Sequence, residues 1–246
     1  MDRKRATLTG LAAILLWSTM VGLIRSVSEG LGPVGGAAMI YTVSGLLCLV
    51  TVGFPDLRRF SRRYLLAGSI LFVSYEMCLA LSLGYAATRS QAIEVGMVNY
   101  LWPSLTIAFA ILFNGQKSTL WVIPGLLISL LGVCWVLGGE NGLQLNDIMQ
   151  NVVSSPLSYG LAFAGAFIWA AYCTVTSKYA KGQNGITLFV LLTALSLWVK
   201  YAVSDQPEMV FSVPVVVKLL MCGVALGFGY AAWNIGILHG NVTVLA

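Results

Sequence analysis

The chain has 246 residues, of which 58% are apolar and only 9% charged, and it carries a formal net charge of +5. A soluble domain holds about 25% charged residues, so this composition excludes a water-clothed globule. Lipid is the solvent in which an apolar exterior costs nothing. The positive charge does not point to nucleic acid, because the basic residues sit in short clusters between apolar runs, as they do in membrane proteins.

A helical span needs about 20 apolar residues. Apolar runs occur at 6–26, 32–53, 64–86, 92–113, 119–138, 157–178, 185–203 and 213–237. These are too long for membrane strands of about ten alternating residues, so the expected fold is an all-α polytopic membrane protein. The first run follows a basic start (Arg3, Lys4, Arg5) but exceeds the apolar length of a cleaved signal and lacks a small-residue cleavage motif, so it reads as a retained span. The breaks carry turn or charge chemistry at Gly30–Pro33, Arg58–Arg63, Asn114–Lys117, Glu140–Pro156, Lys178–Asn184 and Ser204–Pro207. Cys48, Cys78, Cys134, Cys173 and Cys222 all fall inside apolar runs with no CxxC pair, and read as small buried hydrophobes.

Orientation follows from Lys and Arg in alternate loops. A cytoplasmic N-terminus puts ten inside: Arg3, Lys4, Arg5, Arg58, Arg59, Arg62, Arg63, Lys117, Lys178 and Lys181. Only Arg25, Arg89, Lys200 and Lys218 stay outside, where Glu29, Glu140, Asp147, Asp205 and Glu208 also fall.

The halves resemble each other at an offset of about 150 residues: Gly10-Leu11-Ala12 before Trp17 recurs as Gly160-Leu161-Ala162 before Trp169. Five runs precede the second copy, so it enters from the opposite side of the membrane, the inverted-repeat architecture of many secondary transporters. The expected division is a first five-helix unit over 1–140 and an inverted second unit over 156–246. The second unit reads as incomplete, giving eight complete helices and a stub of a ninth at 241–246.

Four strings carry a more specific likeness: Leu16-Trp17-Ser18-Thr19-Met20-Val21-Gly22, Glu94 to Pro103, Phe167-Ile168-Trp169-Ala170-Ala171-Tyr172, and Tyr230-Ala231-Ala232-Trp233-Asn234. With them the whole chain resembles the drug/metabolite transporter superfamily of EamA type, and within it the bacterial aromatic amino acid exporters. The resemblance implies a ten-helix fold of two inverted five-helix units in the bacterial inner membrane. It also implies a central cavity and export of phenylalanine, tyrosine and tryptophan.

Among single residues Glu76 is the most informative, because a carboxylate in mid-span costs about 2.5–3.5 kcal/mol on insertion scales. It fits contact with a substrate ammonium or a proton relay, and equally a neutral carboxyl hydrogen-bonded to a neighbouring helix. Glu94 lies near the outer end of its span. Aromatic and polar residues recur at helical spacing: Trp169 and Tyr172 on the sixth run, Tyr230, Trp233 and Asn234 on the eighth, and Tyr75 with Ser82 on the third. Asn99, Tyr100 and Trp102 adjoin on the fourth, and Trp17 takes a comparable place on the first. An aromatic, amphipathic solute needs flat apolar walls and a few polar anchors; interhelical packing is the alternative for each. Pro103 reads as a mid-span bend and candidate hinge, and Gly223–Gly229 as a close helix approach.

The lone His239 reads as interfacial. No catalytic, metal or nucleotide motif stands out, so no cofactor and no enzyme activity is expected. The expected partners are a small-molecule substrate and the bilayer. An enzyme acting on a lipid-linked substrate and a non-transporting sensor or scaffold are the competing readings.

Overall fold

The structure, a computed structural model, describes residues 2–117, 120–137 and 145–245. The expectations for Glu140, for the side chain of Asp147 and for the edges of the fifth run at 119 and 138 lie outside them. Among the described residues the regular structure is all helical, with twelve α-helices: α1 (Arg3–Trp17), α2 (Met20–Leu31), α3 (Pro33–Thr51), α4 (Arg62–Tyr85), α5 (Arg89–Asn99), α6 (Trp102–Asn114), α7 (Val122–Leu137), α8 (Leu145–Ser154), α9 (Pro156–Tyr179), α10 (Ile186–Val203), α11 (Val213–His239) and α12 (Val242–Leu245). Six segments are long and apolar enough to cross a membrane, α1 with α2 makes a seventh, and α7 is apolar but shorter.

Local chemistry sets the boundaries. Pro33 and Pro156 open α3 and α9 at positions where a missing N–H costs nothing. The Ser61 and Thr88 hydroxyls accept from the backbone N–H of Tyr64 and Gln91 and cap α4 and α5. Gly115 ends α6 in the left-handed region at φ 65°.

Three sequence expectations are corrected. The first run is two helices bent by 43°, not one. The break falls at Ser18 and Thr19, whose hydroxyls donate to the Leu15 and Leu16 carbonyls at 2.8 and 2.9 Å and so satisfy the end of α1. The fourth run is also interrupted. α5 stops at Asn99, the chain turns through Tyr100–Leu101, and Pro103 sits in the first turn of α6, within a segment, Arg89–Asn114, that still makes one span. The break expected over Glu140–Pro156 contains α8, whose ten residues are too short for a span and interleave Asn146, Asp147, Gln150 and Asn151 with the apolar positions.

Contacts at the two ends show how the helices alternate. Asn241 N–H donates to Thr7 Oγ1 and Lys178 Nζ to the Phe113 carbonyl at one end. At the other end Arg25 reaches the Gly84 carbonyl and Val210 N–H reaches the Gly30 carbonyl. The ten basic residues counted together in the sequence therefore share the N-terminal end of the bundle.

The two most extensive interfaces are α4 with α9 and α1 with α11, followed by α3 with α10 and with α11. The last depends on Gly223: a Cβ there would lie 2.8 Å from Val43 Cβ. Close approach lets Ser44 Oγ bond the Gly223 carbonyl at 2.9 Å across the interface. All five cysteines are free, and Cys48, Cys173 and Cys222 are buried.

Candidate functional site

An aromatic layer fills the centre of the bundle where α1, α4, α6, α9 and α11 converge. Trp17, the last residue of α1, lies with its ring centroid 6.0 Å from Trp169, 5.3 Å from Trp233 and 5.0 Å from Tyr230. Trp102, at the start of α6, meets Trp233 edge-on at 5.2 Å and Trp169 at 6.4 Å. Tyr75 packs 4.4 Å from Trp169, and Phe72, which sequence reasoning missed, joins Tyr172 and Tyr230. Two helix breaks deliver these rings. Trp17 and Trp102 both sit where a helix ends or restarts, so neither is tied to a straight helix face.

The layer stands between two cavities. The one towards the end of α2 has about 60 Å³ and is lined by Trp17, Tyr75, Asn99, Tyr100, Trp102 and Tyr230 with aliphatic neighbours. The one towards the N-terminal end has about 630 Å³, and Thr106, Cys173 and Ile237 line it. Those three residues stand one turn along their helices from Trp102, Trp169 and Trp233. The tryptophans are therefore the partition.

The polar groups of the layer are incompletely satisfied. Nε1 of Trp17, Trp169 and Trp233, Oε1 of Glu76 and Oδ1 of Asn99 are buried without a hydrogen-bond partner. Each such group costs about 1–3 kcal/mol when nothing replaces water. Glu76 is fully buried; the Tyr41 hydroxyl donates to its Oε2, and Tyr230 approaches the same carboxyl. Tyr41 was missed in the sequence because a lone tyrosine in the apolar, glycine-bearing run of α3 looks like packing.

Not every candidate reaches the cavity. Ser82 is buried and donates to the Leu79 carbonyl of its own helix at 2.8 Å. Trp169 and Trp233 stand behind the cavity wall. Tyr172 and Asn234 lie further back, where Tyr172 donates to Asn234 Oδ1 at 3.1 Å and Asn234 Nδ2 donates to Asn184 Oδ1 at 2.8 Å. Asn184 lay in a segment that the sequence marked only as a break. Asn99 Nδ2 donates to the Tyr75 hydroxyl at 3.3 Å. Glu94, midway along α5, accepts from Tyr159 at 2.6 Å and stays outside the layer.

A multi-pass helical bundle with an aromatic partition between two cavities has the form of a membrane transporter of small molecules. Residues 4–138, more than half of the chain, match the EamA-like transporter family. The chain is 72% identical, over all of its 246 residues, to the aromatic amino acid exporter YddG of Salmonella typhimurium (strain 14028s / SGSC 2262), covering 84% of that protein. It is 71% identical to the protein of the same name from Escherichia coli (strain K12), again over its whole length and 84% of that relative. A solved structure superposes with a TM-score of 0.74 at 22% identity, over 99% of this chain and 83% of the other, and so shares the fold. The chain belongs to the EamA-like transporter family.

Proposed function

We propose that the chain exports aromatic amino acids across the bacterial inner membrane by alternating access about its aromatic layer. The observation that carries this reading is a ring-walled centre holding five buried polar atoms with no partner. An aromatic amino acid supplies what is lacking: a flat side chain between the rings, donors for Glu76 Oε1 and Asn99 Oδ1, and acceptors for the indole N–H groups. The substrate class and the outward direction come from the names of the relatives.

Trp17, Tyr75, Glu76, Asn99, Tyr100, Trp102, Trp169, Tyr230 and Trp233 form the substrate site in this reading. Tyr172 and Asn234 support it from behind, and the Tyr100–Leu101 break beside Pro103 is the hinge. The N-terminal end, with its ten cations, faces the cytoplasm, in keeping with the positive-inside rule.

The units are 1–140 and 156–246, related by an inverted repeat that pairs α1/α2 with α9, α3 with α10 and α4 with α11. Exchanging the units turns the α4–α9 interface into α11–α1, which are the two most extensive in the bundle, and turns α3–α10 into itself. An inverted repeat with a midplane site moves its solute by rocking one unit against the other, without covalent chemistry or a cofactor.

Flux of radiolabelled phenylalanine into and out of proteoliposomes tests the reading. Wild-type flux above that of empty vesicles is expected, with Glu76→Gln lowering it about tenfold at equal insertion, the factor that 1.4 kcal/mol represents. Flux no greater than in empty vesicles for every aromatic amino acid would sink the proposal.

A further inference from the structure

Only four basic residues fall at the end of the bundle away from the N-terminus: Arg25, Arg89, Lys200 and Lys218. The fold gathers three of them, from three different helices, around one pocket of about 260 Å³ that is lined by Arg25, Ser26, Arg89 and Lys218 together with Val21 and Ile93. A segregation rule that keeps cations off this face makes their convergence at one point a feature to be explained.

Each cation is held, and one remains open. Arg25 donates to the Gly84 carbonyl at 3.2 Å, which ties α2 to the end of α4. Arg89 grips Glu29 with both Nε and Nη2, at 3.2 and 2.8 Å, and Arg25 Nε stands 3.6 Å from the same carboxylate. Glu29 is thus shared by two guanidiniums. Lys218, in the second turn of α11, contacts no carboxylate among the described residues, and its ammonium donates to Ser26 Oγ at 2.7 Å. An ammonium has three donors, and Ser26 Oγ is the one hydrogen-bond acceptor it has among the described residues. Three cations against one carboxylate leave the pocket positive.

The pocket shares a wall with the substrate cavity. Val21 lines both the 60 Å³ cavity beside Trp17 and the cationic pocket. A solute leaving the aromatic layer towards this end therefore meets apolar surface from Val21 and Ile93 next to Lys218, Arg25 and Arg89. That combination fits an aromatic ring carrying an oxyanion.

We infer that this pocket is an exit subsite that takes the carboxylate of the departing amino acid, with Lys218 as the principal contact and Arg89 and Arg25 completing the field. Glu29 orients the two arginines and keeps the pocket from holding the carboxylate too long. The inference rests on the transport reading for its substrate, while its chemistry, an oxyanion beside an apolar wall, can be read separately.

The test uses the full-length protein purified in detergent, with phenylacetate and 2-phenylethylamine as probes, each keeping one charged half of phenylalanine. Phenylacetate should raise the thermal unfolding midpoint of the wild type and of Lys218→Arg, and should lose that effect in Lys218→Gln. The shift from 2-phenylethylamine should be the same in all three proteins. In proteoliposomes, phenylalanine flux should fall about fivefold in Lys218→Gln, the scale of a partly exposed ion pair, and recover in Lys218→Arg.

No phenylacetate shift in the wild type, or the same shift in Lys218→Gln, overturns the subsite. Stabilisation by phosphatidylglycerol but not by phenylacetate overturns it in favour of a lipid headgroup site. A wild type that carries no phenylalanine, yet shows the Lys218-dependent phenylacetate shift, keeps the oxyanion site and removes the export reading instead.

Discussion

Two regions of this bundle bury tryptophan and hydroxyl groups in opposite ways. At the interface of α3 with α10 and α11 each polar group named here has a partner: Trp198 Nε1 donates to Thr42 Oγ1 at 2.9 Å, and Ser44 Oγ to the Gly223 carbonyl at 2.9 Å. In the aromatic layer the indole N–H groups of Trp17, Trp169 and Trp233 have none. Both regions lie among apolar helices, where an unmade hydrogen bond is costly. The first region is finished by the protein alone, whereas the second, in the reading proposed above, is completed by the passing solute. A helix interface can be told from a binding centre by where its hydrogen bonds end.

The largest effect should come from breaking the finished side. Gly223→Leu forces a side chain into Val43, and overpacking of this kind costs about 1–3 kcal/mol or more. Lower yield of monodisperse protein and a lower unfolding midpoint are expected; a variant as stable as the wild type would remove Gly223 from its structural role. Next, Trp169→Ala should reduce phenylalanine flux more than about tenfold, corresponding to a loss above about 1.4 kcal/mol, with the protein still inserted. Unchanged flux per inserted molecule would take Trp169 out of the site.

Smaller and more telling is a matched pair. Trp198→Phe deletes a made hydrogen bond and should cost about 1 kcal/mol of stability with flux unchanged. Trp17→Phe deletes an unmade one, so stability should hold while flux changes; thermal unfolding and flux measured side by side decide it. If the two variants behave alike, the contrast between the regions has no functional meaning. The smallest effect belongs to Ser82→Ala, which removes only a bond to a carbonyl of its own helix, and it should leave wild-type flux and a smaller stability loss than Trp198→Phe.

The helices were legible because apolar length alone defines a span, and the spacing of Trp169 with Tyr172 and of Tyr230 with Trp233 did put those rings on inward faces. Six of the twelve residues singled out as binding candidates (Trp17, Tyr75, Asn99, Tyr100, Trp102 and Tyr230) line one cavity. What periodicity cannot give is the direction of a hydroxyl. Ser82 shares a face with Tyr75, yet its oxygen turns back to Leu79. Nor can it find a partner from another helix, such as Tyr41 for Glu76 or Asn184 for Asn234. The break between α1 and α2 was hidden for a related reason. Ser18 and Thr19 are tolerated inside an apolar run, and their capping of Leu15 and Leu16 shows only in three dimensions.

That break has a consequence for how the protein enters the bilayer. At 1.5 Å per residue α1, with 15 residues, is about 22 Å long and α2, with 12, about 18 Å. A hydrocarbon core of about 30 Å is too thick for either to cross alone. The two must therefore partition into lipid together, as one jointed segment. Its commitment to the membrane waits until Leu31 has been synthesised, some 14 residues after the first half is complete at Trp17.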